Sequence, residues 1–144
     1  MSYPSDVRAY FDERIKSIDA DLIVLDDALN DETISLSEAD KGYKMVLGPI
    51  ACEPGPQFHT ESLQVLLTIY SRPKRDELGT YDDLYCKAQD IKDSIVNRKN
   101  QEQYVNRNWN EIAPVSILPA TADTDDKLFK MELEFSVRRD IAYA

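Results

Sequence analysis

The chain has 144 residues, 42% hydrophobic and 9% aromatic, with 17 Lys and Arg against 27 Asp and Glu for a formal net charge of −10. That length suits one compact domain burying about 68 to 70% of its unfolded surface, so a core needs neither disulfides nor a structural metal and no room is left for a second enzyme-sized domain. The acidity argues against nonspecific attachment to nucleic acid or to an anionic membrane.

The first residues, MSYPSDVRAYFDERIKS, lack the basic flank and continuous apolar stretch of a signal peptide. Apolar runs such as Leu22 to Leu25 fall far short of the roughly 20 residues that cross a bilayer, so the expectation is a soluble, intracellular protein. Cys52 and Cys86 form no C-x-x-C pattern, one beside a turn and one in a helical pattern, and are expected to be reduced and structural.

Ser5 is placed to cap a first helix, because Val7, Tyr10, Phe11, Ile15 and Ile18 recur at spacings of three and four. The apolar residues from Leu22 to Leu29 either continue this helix or start a short second element. Between Asp19 and Asp40 lie Asp19, Asp21, Asp26, Asp27, Asp31, Glu32, Glu38 and Asp40, with no Lys or Arg. Tyr43, Met45 and Leu47 alternate with Lys44, Val46 and Gly48, which predicts a strand ending at Gly48-Pro49, followed by a turn over Glu53 to His59.

Thr60 to Ser71 carries the strongest strand pattern, with Leu63, Val65, Leu67 and Ile69 on one face and Leu66 and Tyr70 on the other, as in a central strand. Pro73 ends it, and the loop to Thr80 carries Arg72, Lys74 and Arg75. Thr80 and Asp83 resemble a capping box for a second helix with Tyr81, Leu84, Tyr85, Ala88, Ile91 and Ile95 on one face. The polar stretch Asn97 to Gln103 stops that helix and leads to Tyr104, Val105, Trp109 and Ile112. Val115 to Leu118, between Pro114 and Pro119, predicts a third strand, and Thr121 to Asp126 a turn. In the last strand Phe129, Met131, Leu133, Phe135 and Val137 alternate with polar residues, one face packed and one wet.

The order αββαββ predicts an α+β fold over residues 1–144: a four-stranded, mostly antiparallel sheet of two hairpins with two helices on one face. The outer sheet face, with Leu66 and Tyr70, then asks for a partner.

Chemistry-bearing patterns are sparse. The single histidine, His59, sits at a strand entry where spacing places no nucleophile and orienting acid beside it, Ser62 included. The pairs Asp26-Asp27, Asp82-Asp83 and Asp125-Asp126 are adjacent residues that point apart rather than flanking one bond. The Asp123 to Asp126 turn lacks the Gly and Glu of a calcium loop, and the four glycines form no phosphate cradle. No catalytic residue, metal or cofactor is expected. Basic residues cluster at Arg72 to Arg75, Arg98-Lys99 and Arg138-Arg139, apart from the acidic segment; each cluster alone reads as a solvated loop, and together their separation suits head-to-tail packing of identical subunits into a ring. Trp109 is either a core plug or an interface anchor.

The N-terminal helix, the strand near Gly48-Pro49-Ile50, the stretch HTESLQVLLTIYSRP from His59 to Pro73, the Tyr81 to Ile91 helix and the final strand LFKMELEFSVRRD from Leu128 to Asp140 together resemble the tail terminator and tail-completion proteins of long-tailed bacteriophages, the minor tail protein U-like group. The resemblance covers most of the chain and lies in loose patterns; residues 20 to 42 depart from it. It implies a structural, non-enzymatic virion protein made in the host cytoplasm, which forms a ring, commonly a hexamer, on the head-proximal end of the tail tube. That ring stops tube polymerisation and gives head-completion or neck proteins a docking surface, while DNA passes through without specific binding. Asp26, Asp27, Asp31, Glu32, Glu38 and Asp40 are then candidates for an acidic lumen, repelling passing phosphates, or else belong to an outward solvated loop. Leu66, Tyr70 and Trp109 are candidate subunit or tube contacts, and Arg72, Lys74 and Arg75 candidate contacts to a neighbour's acids. A neck connector is the alternative within this class; an acidic adaptor that binds a single protein and does not assemble is the alternative outside it.

Overall fold

Helical spacing in the first residues produces α1 (Tyr3–Ile18) in the computed structural model, which describes residues 3–24, 42–71, 77–119, 121–122 and 129–143. Val7, Phe11 and Ile15 on α1 have no exposed surface. The helix starts two residues before Ser5, and Ile18, expected in the buried stripe, is exposed on its last turn. Asp19 ends it: its carboxylate Oδ1 accepts the Asp21 N–H at 3.0 Å and its carbonyl accepts the Leu22 N–H at 3.1 Å. Local side-chain bonding of this kind competes with helix propagation. Leu22 is therefore buried outside the helix, and β1 (Ile23–Val24) pairs in parallel with Gly42 and Tyr43, so the apolar run from Leu22 starts a second element. Leu25 to Leu29 lie outside the described residues.

β2 (Gly42–Glu53) runs through Gly48-Pro49 rather than ending there, with a register shift against β3 (Phe58–Ser71) between Leu47 and Ile50. Two local facts permit this. Among the described residues β1 covers only the first two residues of β2, so no described strand pairs with Pro49 on that side and its missing N–H removes no described ladder bond. A Cβ on Gly48 would lie 2.6 Å from Gln64 Oε1, so the glycine leaves room for the Gln64 side chain on the neighbouring strand. The turn shortens accordingly, and β3 begins at Phe58, inside the segment expected to be a turn.

α2 (Glu77–Val96) begins ahead of Thr80 and buries Leu84, Ala88, Ile91 and Ile95. Tyr81 meets Phe129 edge-on at 4.9 Å between centroids, whereas Tyr85, expected on the buried face, is exposed. The polar stretch after Val96 breaks the helix and then forms one of its own, α3 (Arg98–Gln103), because the Asn97 side chain accepts the Asn100 N–H at 3.0 Å and restarts the ladder. β4 (Glu111–Ile117) starts earlier than expected and passes through Pro114, again where no described strand pairs on the outer side and with a register shift, between Pro114 and Ser116. β5 (Thr121–Ala122) pairs with the start of β6 (Phe129–Ala142), and β6 pairs with β3 from Phe129 to Ala142, beyond the expected end of the last strand.

The described residues thus form an α+β domain with strand order β1-β2-β3-β6-β4, β5 lying beside β6. Its four long strands are antiparallel, in two hairpins joined by β3 against β6, and β3 is central as its two-faced pattern predicted. The helices share one sheet face: Phe11 of α1 meets Phe135 of β6 edge-on at 5.2 Å, over a core that includes Val65, Leu67, Ile69, Met131 and Leu133.

Candidate functional site

Two regions stand out. The first is the corner where α2, α3 and β4 meet. Trp109 lies there, 4% exposed, 5.1 Å from the Tyr10 ring and stacked at 5.7 Å on Tyr104. It is a core plug, which decides between its two readings. Gln101 organises the corner. Its Oε1 accepts from Trp109 Nε1 at 3.3 Å and from the Ile112 N–H at 2.9 Å, while its Nε2 donates to the carbonyls of Val96 at 3.0 Å and Ile112 at 3.3 Å. With Tyr10 donating to the Ile95 carbonyl at 2.7 Å and Asn100 Nδ2 to that of Ser94 at 2.9 Å, the last carbonyls of α2 gain the partners that a helix end lacks.

The second region is where the sheet outruns its helices. The Tyr3 hydroxyl donates to the Val137 carbonyl at 3.2 Å, and the Arg139 guanidinium covers the Tyr3 ring at 3.9 Å, marking the end of helix cover. Arg139 in turn donates to Glu61 Oε1 from Nε at 3.0 Å and Nη2 at 2.6 Å, a part-buried pair that closes the core. Beyond it β2, β3 and β6 continue as a bare hairpin arm. Ile50 is 40% exposed on the helix side, Phe58 is 44% exposed on the opposite side, and Tyr143, 51% exposed, stacks on His59 at 5.7 Å. Large apolar groups exposed on both faces of a projecting arm are what a partner would cover.

The remaining outer sheet face is mixed. Leu66 is exposed there opposite Val46 and Glu134, beside Gln64, whose Nε2 donates to Glu134 Oε1 at 2.5 Å. Tyr70, expected as an exposed contact on this face, is only 2% exposed, with Lys44 Nζ 5.7 Å from its ring centroid. As the chain stands, neither Tyr70 nor Trp109 offers surface to a partner, because side chains of the same chain already cover both. Arg72, Lys74 and Arg75, and Asp26, Asp27, Asp31, Glu32, Glu38 and Asp40, lie outside the described residues, as does the Asp123 to Asp126 turn. Cys52 and Cys86 are free but exposed, which corrects the expectation that they pack as structural residues.

Buried phenols dominate the electrostatics. Burial pushes the Tyr3 and Tyr10 hydroxyls up to about 12 and raises Tyr104 as well. Tyr43 is raised by burial first and then by its 2.8 Å hydrogen bond to Asp12 Oδ1. Among the described residues no group of three or more His, Cys, Asp and Glu is placed to hold a metal, and no helix is long and apolar enough to cross a membrane.

The organising role of Gln101 and the exposure of Ile50 and Phe58 are not written in the local sequence pattern. Phe58, an aromatic inside a predicted turn, was the one available signal; a glutamine in a polar run carries none. No protein-family model matches the chain, and no curated protein matches it.

Proposed function

We propose that this protein is a structural subunit that works by assembling with copies of itself, as a ring ending the head-proximal tip of a phage tail tube and offering a docking surface to head-completion proteins. The observation that carries this reading is the bare arm: a sheet continued past its helix cover, with Ile50, Phe58 and Tyr143 exposed, has the form of an element completed by a neighbour. The sequence patterns that resemble tail terminators, and the separation of the acidic Asp19 to Asp40 segment from the basic clusters, point the same way. The chain acts by contact and not by catalysis in this reading.

The test mixes the purified protein with polymerising tail tube protein from the same genome and images the product by electron microscopy. Tubes of limited length with an added ring on one end are expected. Tubes that grow unaffected, with no protein on their ends, would turn the reading to a neck connector or to an adaptor without assembly, and a protein that stays monomeric at every concentration, tube present or absent, would favour the adaptor.

A further inference from the structure

A cavity of about 270 Å³ opens at the corner of α2, α3, β4 and β6, on the solvent side of the Gln101 hub. Among the described residues three arginines line it, Arg98 from α3, Arg107 from the α3–β4 connection and Arg138 from β6, together with Asn110 and a single carboxylate, Glu111. Arg107 is held from behind. Its Nε donates to the Trp109 carbonyl at 3.0 Å and its Nη2 to the Asn110 carbonyl at 2.6 Å, and no described carboxylate pairs with it. Arg138 Nη2 is 3.8 Å from Glu111 Oε2, too far for a hydrogen bond, and Arg98 pairs with Glu102 through exposed, solvent-screened side chains. Asn110 adds a donor, since its Oδ1 is occupied by the Asp140 N–H at 2.7 Å and its amide NH2 remains. A cationic, donor-rich concavity in a chain of net charge −10 is an exception to the whole molecule's character.

We propose that this cavity binds a compact, multiply charged oxyanion of the phosphate class, taken in the forks of Arg98, Arg107 and Arg138. Guanidinium forks match the oxygen spacing of such anions. Arg107, already anchored by main-chain carbonyls, has lost much of its side-chain freedom before binding, so closing on an anion costs it less entropy. The hub links this site to the core: the Trp109 carbonyl holds Arg107 and the Trp109 indole N–H bonds to Gln101. This inference does not depend on the assembly role.

The test is a nuclear magnetic resonance titration of the full chain at low ionic strength with pyrophosphate, and separately with inorganic phosphate. It follows the arginine Nε–H signals and the indole N–H of Trp109, the only tryptophan. Saturable shifts of the Arg107 and Trp109 signals fitting one site are expected. Arg98→Gln and Arg138→Gln should each weaken binding about tenfold with unchanged melting temperature, and Lys99→Gln, an exposed neighbouring cation that does not line the cavity, should leave it unchanged. Shifts that chloride reproduces at matched ionic strength, a double Arg98→Gln, Arg138→Gln variant that titrates like the parent, or an equal loss in Lys99→Gln would overturn the proposal.

Discussion

At the scale of single residues, the side chain that most repays attention is Gln101. Four hydrogen bonds converge on its amide, two accepted and two donated, and their partners include the buried indole of Trp109 and both main-chain polar groups of Ile112. Gln101→Leu keeps similar volume but strands those groups, and each buried polar group left unpaired costs about 1 to 3 kcal/mol. A loss of about 3 kcal/mol is expected in urea unfolding, with a shift in Trp109 fluorescence; a loss below about 0.5 kcal/mol would show that the hub is not needed. The tyrosines set a second expectation. Tyr3 and Tyr10 ionise near 12 in the folded chain, against about 10 when unfolded. Below pH 10 both states hold the proton and stability is unaffected. Between 10 and 12 the unfolded chain releases it first, so each such phenol lowers stability by about 1.4 kcal/mol per pH unit until the folded group ionises too. Melting temperatures falling from pH 10 upward, with phenolate absorbance delayed until unfolding, would be the signature; early phenolate absorbance in the folded protein would contradict it.

At the scale of elements, the β2 bulge and the arm it leads into govern what the sheet can present. Gly48→Ala places a Cβ against Gln64 Oε1 and, at 3.1 Å, against Gln64 Cβ, so Gln64 must give up its bond to Glu134 or β2 must shift. A loss of about 1 kcal/mol is expected from the broken charge-assisted hydrogen bond. If that mechanism is right, the cost should be much smaller in a Gln64→Ala background, a coupling that a double-mutant cycle measures. The arm makes the opposite expectation. Ile50→Ser and Phe58→Ser remove exposed apolar groups, so monomer stability should change by no more than about 0.5 kcal/mol. Under the proposed assembly role, capping of tail tubes should nevertheless be lost. Variants that cap normally would remove the arm from the assembly reading.

For the whole molecule, charge is the organising quantity. The eight carboxylates from Asp19 to Asp40 stand without a cation in their own segment, while Arg72, Lys74 and Arg75 cluster elsewhere in the chain. If neighbouring subunits meet acid against base, changing Arg72, Lys74 and Arg75 together to Glu should leave the fold intact and abolish ring formation, and rising salt should weaken assembly of the parent protein as the Debye length falls to about 3 Å at 1 M. Analytical ultracentrifugation and tube imaging read both effects. Normal tail length and head joining with the triple variant would end the electrostatic part of the proposal.

What the sequence determined by itself is what local periodicity encodes. The stripe of Val7, Phe11 and Ile15, the Leu63, Val65, Leu67 and Ile69 face of β3 and the unbroken alternation from Phe129 to Val137 each bury the face they were expected to bury, because helix and strand repeats dictate which side chains share a side. Those periods, with the short links inside each strand pair, were enough for the α+β order of elements. Only the tertiary structure decided the rest, because a distant partner supplies the missing term. Gly48-Pro49 and Pro114 read as strand ends but lie where, among the described residues, no strand pairs on the outer side, so a proline costs no described ladder bond. The helix after Asn97 exists where no apolar stripe announces it, and Gln101 on it is anchored by Trp109 and Ile112. Tyr70 is covered and Phe58 bare although both are aromatics on the same strand face, because exposure depends on how far neighbouring chain reaches across the sheet, a distance that no local pattern records.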